Sequence, residues 1–392
     1  MSVIGIVCEF NPFHKGHKYL IDTVKKDGDT VVCVMSGNFV QRGEPALFLK
    51  EARVKAALLN GADIMLELPF VYATASAEIF AYNAVKILND FGCEKLAFGT
   101  ETADATTLEN VVKILNDNEF DDKVKKHFDE GISYPVARQR AFDEYNVDFD
   151  ISTPNNILAL EYMKAIKKLN SKITPIPVTR IGAGYNDTNS VDGFASATHI
   201  RQLINNGEDF SPFVLENSIE IYKEEIKNGN FVSREKYNLA SLTVLRSKLN
   251  TEVADIANMS EGLENRIKSA IKVSTSLEEV YDRAKTKRYT HSRIRRAVLS
   301  LTLGVTADDL KLPVPYCRLL GFNKNSAEVM GKLAINSKLP FVASYSDILN
   351  LKSTDAEKIF SIENTAGDFY SLIMQNSTVC SKEMTFTPVK LQ

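Results

Sequence analysis

Apolar positions in the first two hundred residues fall into short unbroken runs, separated by longer segments in which they recur every three to four positions. The runs are Val3–Cys8, Thr30–Met35, Asp63–Leu68, Lys95–Phe98 and Ile173–Val178. Apolar runs of this length predict strands buried on both faces. Leu49–Asn60, Ser76–Leu88, Asn156–Leu169 and Ala195–Ile204 carry helical spacing, and a charge-rich helical stretch runs from Asp104 to about Tyr145. Strand–helix alternation of this kind predicts an α/β fold with a doubly wound parallel sheet. The alternation stops near Glu208–Phe213. Beyond it the spacing predicts helices over 234–249, 261–272, 276–287 and 290–302, then strand-like pieces at Cys317–Phe322 and Phe341–Ala343. We therefore expect a nucleotide domain over residues 1–210 and a mainly α-helical domain over 211–392.

Composition narrows the class. A chain of 392 residues can hold two proper cores, and 44% hydrophobic with 25% charged residues is ordinary for a globular protein. A net charge of −3 gives no global nucleic-acid footprint, so any RNA contact has to come from a local basic patch. The five cysteines are scattered and lack CxxC spacing, which argues against a disulfide framework or a zinc site and suits a reducing cytosol. No signal peptide precedes the first strand and no apolar run has membrane-spanning length, so the expected location is cytoplasmic.

The first apolar run leads straight into chemistry. Phe10-Asn11-Pro12-Phe13 breaks the strand, and His14-Lys15-Gly16-His17 opens a helix. A strand running into a helix start offers unpaired N–H groups and a favourable dipole to an anion. Histidines at i and i+3 share one face of that first turn. They can equally be surface or capping histidines of an ordinary βα turn. In open α/β sheets, ligands bind at the carboxyl ends of the strands. Ser36-Gly37-Asn38, Gln41-Arg42-Gly43-Glu44, Gly99-Thr100-Glu101 and Arg180-Ile181-Gly182 all fall at such ends. Within Ser196-Ala197-Thr198-His199-Ile200-Arg201, Ser196 or Thr198 can cap a helix. Farther on, Arg283–Arg296 carries seven lysines and arginines and no acidic residue, with Tyr289 and His291 interleaved. Such a run is either a solvated helix face or a phosphate-backbone footprint with Tyr289 available to stack.

NPFHKGH resembles the HxGH signature of the nucleotidyltransferase superfamily, whose Rossmann-like fold of the HUP type is shared with class I aminoacyl-tRNA synthetases. Ser196–Arg201 resembles its second signature, with Ala197 replacing a hydroxyl often found there. The longer matches CEFNPFHKGHKYLI, SGNFVQRGEPALF, ADIMLELPF, SAEIFA, FGTE, PNNILALEY, RIGAGYND, KRYTHSRIRR and YCRLLGFN, in that order, resemble the tRNA(Met) cytidine acetate ligase family as far as about Asn323.

The resemblance implies an enzyme that makes acetyl-adenylate from ATP and acetate and acetylates N4 of the wobble cytidine of elongator tRNA(Met), with Mg²⁺ bridging the phosphates. It implies an ATP loop of Val7, Cys8, Glu9, Phe10, Asn11, Pro12, Phe13, His14, Lys15, Gly16, His17, Lys18, Tyr19 and Leu20. Gly99, Arg180 and Asn155 would complete the nucleotide site, with Asn156 the alternative to Asn155. It assigns catalysis to His14, His17, Ser196 and Arg201. Lys287, Arg288, Arg293, Arg295 and Arg296 would hold RNA. No protein-borne metal ligand is implied. The alternatives are a small-molecule adenylyltransferase or a nucleotide-binding scaffold without turnover. Only the RNA-modifying ligase predicts that removing charge at Arg293, Arg295 and Arg296 weakens tRNA binding and spares ATP binding.

Overall fold

The structure is a computed structural model describing residues 2–101, 104–132, 134–180, 194–250, 255–259 and 262–392. The strands are β1 (Val3–Cys8), β2 (Thr30–Ser36), β3 (Phe39–Val40), β4 (Glu44–Pro45), β5 (Ile64–Leu68), β6 (Lys95–Thr100), β7 (Thr174–Thr179), β8 (Cys317–Asn323), β9 (Phe341–Val342) and β10 (Val389–Leu391). All but β3 and β4 form one sheet in the order β10-β8-β5-β2-β1-β6-β7, with β9 beside β8. Strands β1, β2, β5, β6 and β7 are mutually parallel. The five expected N-terminal strands are all present. Three extend past their apolar run, to Ser36, Thr100 and Thr179, because the ladder needs only backbone groups.

The parity of β2 sorts the molecule into layers. Val31, Cys33 and Met35 face a core covered by helices Lys15–Val24, Lys50–Leu59 and Glu216–Lys227. Val32 and Val34 face a second core, covered by helices Ala77–Phe91, Pro154–Lys168 and Thr354–Ile373. Every residue of β2 and β5 is buried, which explains their near-continuous apolar sequence. The helical stretch from Asp104 is three helices, Ala105–Leu115, Asn118–Asp129 and Tyr134–Asp143. The first two begin at Asp104 and Asp117, whose carboxylates cap them.

The residues after 210 do not stand apart as a separate helical body. Helices Glu216–Lys227 and Thr354–Ile373 cover opposite faces of the sheet, and β8 adds antiparallel to β5 and carries β9 and β10. Without β8, the wholly buried β5 would be an open edge. The expected boundary marks the end of βα alternation, while the sheet runs on across it. A third core belongs to this half alone, built from helices Arg234–Ser247, Leu263–Val273, Leu277–Ala284 and His291–Leu303.

A buried charge cluster ties the pieces together. Lys50 Nζ lies 2.8 Å from Glu67 and 2.5 Å from Glu383, and Arg318 Nη1 lies 2.7 and 2.8 Å from the same two carboxylates. Glu363 approaches from helix Thr354–Ile373, accepting a 2.6 Å bond from Phe70 N through one oxygen while the other has no partner. Burial, reinforced by the Glu67 charge, pushes the Glu363 carboxyl up to about 8. Burial also opposes ionisation of Glu383, but Lys50 and Arg318 outweigh it and hold this carboxyl at about 2. Glu67, Glu363 and Glu383 are close enough to chelate a cation, though Lys50 and Arg318 already balance two of the three charges.

Candidate active site

The site forms where the strand order reverses, between β1 and β6, at their carboxyl ends. After β1 the chain turns through Phe10, which holds φ +45°, a conformation that strains a bulky residue by about 1–2 kcal/mol. Helix Lys15–Val24 then begins with a reciprocal cap built from imidazoles. His14 Nδ1 accepts from Gly16 N at 3.0 Å, and His17 Nδ1 accepts from His14 N at 3.2 Å. The two rings stack at 3.8 Å. A Cβ on Gly16 would sit 2.9 Å from the His14 ring, so the glycine makes room for the imidazole. The capping role set out from the sequence is therefore present, and it employs only Nδ1 of each ring.

That cap fixes the chemistry of the rings. A nitrogen that accepts a backbone N–H carries no proton, so each neutral imidazole must hold its proton on Nε2 and act there as a donor. Burial lowers the His14 pKa to about 3, with Arg180 and Arg201 adding to the effect. Burial, His14 and Arg180 hold His17 well below its ordinary value. Both rings are hydrogen-bond donors without charge until an anion arrives.

A second helix start points at the same cleft. Ser196 caps helix Ala197–Asn206, its Oγ accepting from His199 N at 3.1 Å. Arg201 reaches back from this helix to Asn11 O at 2.9 Å and to Thr198 Oγ1 at 3.2 Å, which braces the loop after β1. The His199 ring packs on Phe213, 5.7 Å away. Arg180 follows β7 and lies 3.7 Å from Glu101, whose carboxylate also accepts from Asn155 Nδ2 at 2.7 Å. Asn156 is wholly buried and bonds Glu101 N and Asp150 O, so of the two asparagines only Asn155 lines the cleft. Lys15 turns to Pro212 O at 2.6 Å. The glycine- and asparagine-rich stretch 181–193 lies outside the described residues.

His14, His17, Ser196, Arg201, Arg180 and Gly99 share one cleft of about 530 Å³. Phe80, Phe98, Leu158 and Tyr162 supply apolar surface to it. The apolar surface can take a base, and two helix starts with two imidazole donors can take phosphates.

Two supports hold the site: Arg53, which no sequence motif singles out, and Glu9, named from the sequence only as part of the loop Val7–Leu20. Arg53, in helix Lys50–Leu59, is wholly buried and donates to Phe48 O at 3.2 Å, Glu9 O at 2.8 Å, Ser36 O at 3.1 Å and Gly37 O. It fastens the segments leaving β1 and β2. Glu9 accepts a 2.7 Å bond from Gln41 N, which anchors the β3–β4 hairpin to the cleft. Burial raises the Glu9 pKa, partly offset by that bond and by Arg42 and Arg201.

The basic segment is divided. Lys287 and Arg288 are exposed, whereas Tyr289 is buried and Arg293 sits over its ring at 5.2 Å, so this tyrosine is not available to stack a base. Arg295 pairs with Glu44 at 2.5 Å. Arg296 is buried and lines the cleft together with Thr290 and Ser292.

A parallel sheet with its site at the switch point, a histidine-capped helix and a second helix start together define a nucleotidyl transferase. In agreement, the family model for HIGH Nucleotidyl Transferase matches residues 1–384. An Acetivibrio thermocellus protein named tRNA(Met) cytidine acetate ligase is 37% identical over 409 residues, covering 99% of each chain. A Thermosipho melanesiensis protein of the same name is 38% identical over 91% of this chain and 88% of its own. Thermotoga maritima TmcAL, solved in an apo form and bound with alpha-thio ATP, superposes with a TM-score of 0.89 at 31% identity over 100% of both chains. The chain belongs to the tRNA(Met) cytidine acetate ligase family.

Proposed function

We propose that the protein activates acetate with ATP and transfers the acetyl group to N4 of the wobble cytidine of elongator tRNA(Met). In the first step an acetate oxygen attacks the α-phosphorus, the bond to the β-phosphate oxygen breaks, and pyrophosphate leaves with acetyl-adenylate formed. Acetate is already ionised at neutral pH, so this step needs no base. In the second step the cytidine amine attacks the acetyl carbonyl, loses a proton, and AMP leaves.

The observation that carries this reading is the stacked pair His14 and His17, each with Nδ1 occupied by a backbone N–H. Two Nε2–H donors fixed by a helix cap suit the charge that grows on the α-phosphoryl oxygens. Arg180 and Arg201 supply positive charge, and the helix start capped by Ser196 suits departing pyrophosphate. The loop Val7–Leu20, Gly99 and Asn155 complete the ATP site in this reading. Mg²⁺ would enter with ATP, held by its phosphates. The clustered carboxylates Glu67, Glu363 and Glu383 are not among the residues lining the cleft.

Lys287, Arg288, Arg293, Arg295 and Arg296 are the proposed RNA contacts. A cytoplasmic location fits the cysteines, all five free. Among the described residues no helix is long and apolar enough to cross a membrane.

The test supplies labelled acetate and ATP, without acetyl-CoA, to bulk tRNA. Label in elongator tRNA(Met), lost with His17→Ala, is the expected result. Release of pyrophosphate with no label in any tRNA would overturn the reading in favour of a small-molecule acceptor.

A further inference from the structure

Helix His291–Leu303 brings a third helix start to the cleft, and the ATP chemistry above leaves it unused. Thr290 caps it, with Oγ1 accepting from Arg293 N at 3.3 Å, and its first turn holds no acidic residue. The first N–H groups of such a helix have no partner within it. One turn in, Arg296 is only 9% exposed, yet its Nε has no hydrogen-bond partner and a single long bond of 3.5 Å joins Nη1 to Gln41 O. No carboxylate among the described residues forms an ion pair with it. Burial and the neighbouring Arg293 pull its pKa down to about 10, and no anion offsets them. A buried guanidinium with unspent donors is costly, and a ligand that supplies acceptors removes the cost.

The position of Arg296 is rigidly set. Gly43, at φ +76°, presses the β3–β4 hairpin onto this turn, and a Cβ there would lie 2.6 Å from Arg296 N. Gln41 of the same hairpin holds Glu9 through its N–H and meets Arg296 through its carbonyl. The guanidinium is thereby registered against the loop that follows β1.

Among its polar residues, exposure falls along the segment. Lys287 and Arg288 are exposed, His291, Ser292 and Arg293 are half-buried, and Arg296 is buried in the cleft. A polyanion can follow such a gradient from surface to site, whereas the ATP of the reading above is served by two imidazoles, two helix starts, Arg180 and Arg201 on other elements. We propose that Arg296, with the hydroxyls of Thr290 and Ser292 and the N–H groups of their helix start, forms the subsite for the RNA phosphodiester adjoining the nucleotide that is modified. This deepens the tRNA-acylating reading above and rests on it.

Two partial reactions separate the roles: acetate-dependent ATP–pyrophosphate exchange without RNA, and acetyl transfer to tRNA across a salt series. For Arg296→Gln we expect the tRNA KM to rise about tenfold or more and the salt slope of tRNA binding to drop by about one, with exchange falling less than about threefold. Arg296→Lys should recover most of the salt slope. Ser292→Glu guards against misfolding, because a carboxylate in the first turn favours the helix. It should hold or raise the melting temperature while weakening tRNA binding. Equal losses in exchange and transfer would assign Arg296 to the ATP phosphates and overturn the subsite. Variants that keep the wild-type tRNA KM and salt slope would also overturn it. A wild-type enzyme that acetylates no tRNA would instead bring down the underlying reading.

Discussion

At the scale of single residues, one nitrogen on each imidazole does two jobs. By accepting a backbone N–H, His14 and His17 finish the first turn of helix Lys15–Val24 and also force their protons onto Nε2. The two roles can be separated by His14→Asn. Asparagine is among the strongest N-caps, so unfolding free energy should stay within about 1 kcal/mol of wild type. It lacks the Nε2–H that the proposed reaction uses, so pyrophosphate exchange should fall by about 10²- to 10³-fold. Retained exchange in a well-folded variant would reduce His14 to a cap. The histidine pair was legible in the sequence because strand, breaker and helix start are contiguous there. Asn155 and Asn156 could not be told apart, since only burial distinguishes them.

At the scale of elements, local pattern and long-range pairing part company. The apolar runs of β1, β2, β5 and β6 announce themselves, because strands buried on both faces need apolar residues throughout, whereas β7, at the sheet edge, buries only Val178. The apolar run of β8 is equally visible, yet its partner β5 lies some 250 residues upstream and no local spacing encodes that. The β3–β4 hairpin is two residues per strand, too short to show alternation, and the sequence presents it as a polar loop. Arg53 sits in a stretch, KEARVKAALL, that has the spacing of an amphipathic helix with its charges in water. It is instead the joint between two loops. Arg53→Met preserves bulk and helix propensity but leaves buried carbonyls of Phe48, Ser36 and Gly37 without a donor. We expect a loss of about 3 kcal/mol or more in urea unfolding, with ATP affinity falling alongside. Unchanged ATP affinity would show that the loops hold without the guanidinium.

At the scale of the whole molecule, the cluster of Lys50, Glu67, Arg318, Glu363 and Glu383 joins both sequence halves across the sheet. Three carboxyls face two cations, and the Glu363 carboxyl, raised to about 8, keeps its proton at neutral pH. The sign of the resulting pH dependence is fixed. The folded chain holds a proton that the unfolded chain releases near pH 4.5. The stabilisation is thus complete below that pH, declines by about 1.4 kcal/mol per unit as pH rises, and is gone above pH 8. Glu363→Gln should remove this slope, which is checked by comparing urea midpoints of the two proteins at pH 6, 7 and 8. Parallel midpoints would mean that Glu363 is ionised throughout.

The same cluster bears on how the protein is made. Glu383 meets Asn38 and Lys50 across more than three hundred residues of chain, and β10 pairs with β8 a few residues later. Synthesis runs from the loop after β1 towards these contacts, so that loop leaves the ribosome long before residues 383–391 exist. In that interval Lys50 and Arg318 lack one of their counter-charges and the Gly321–Asn323 end of β8 presents an open edge, the state in which chains pair with the wrong neighbour. Contacts this distant in sequence also form slowly. Docking of this short segment is therefore what completes the charge cluster and the sheet edge, although no residue of it lines the cleft.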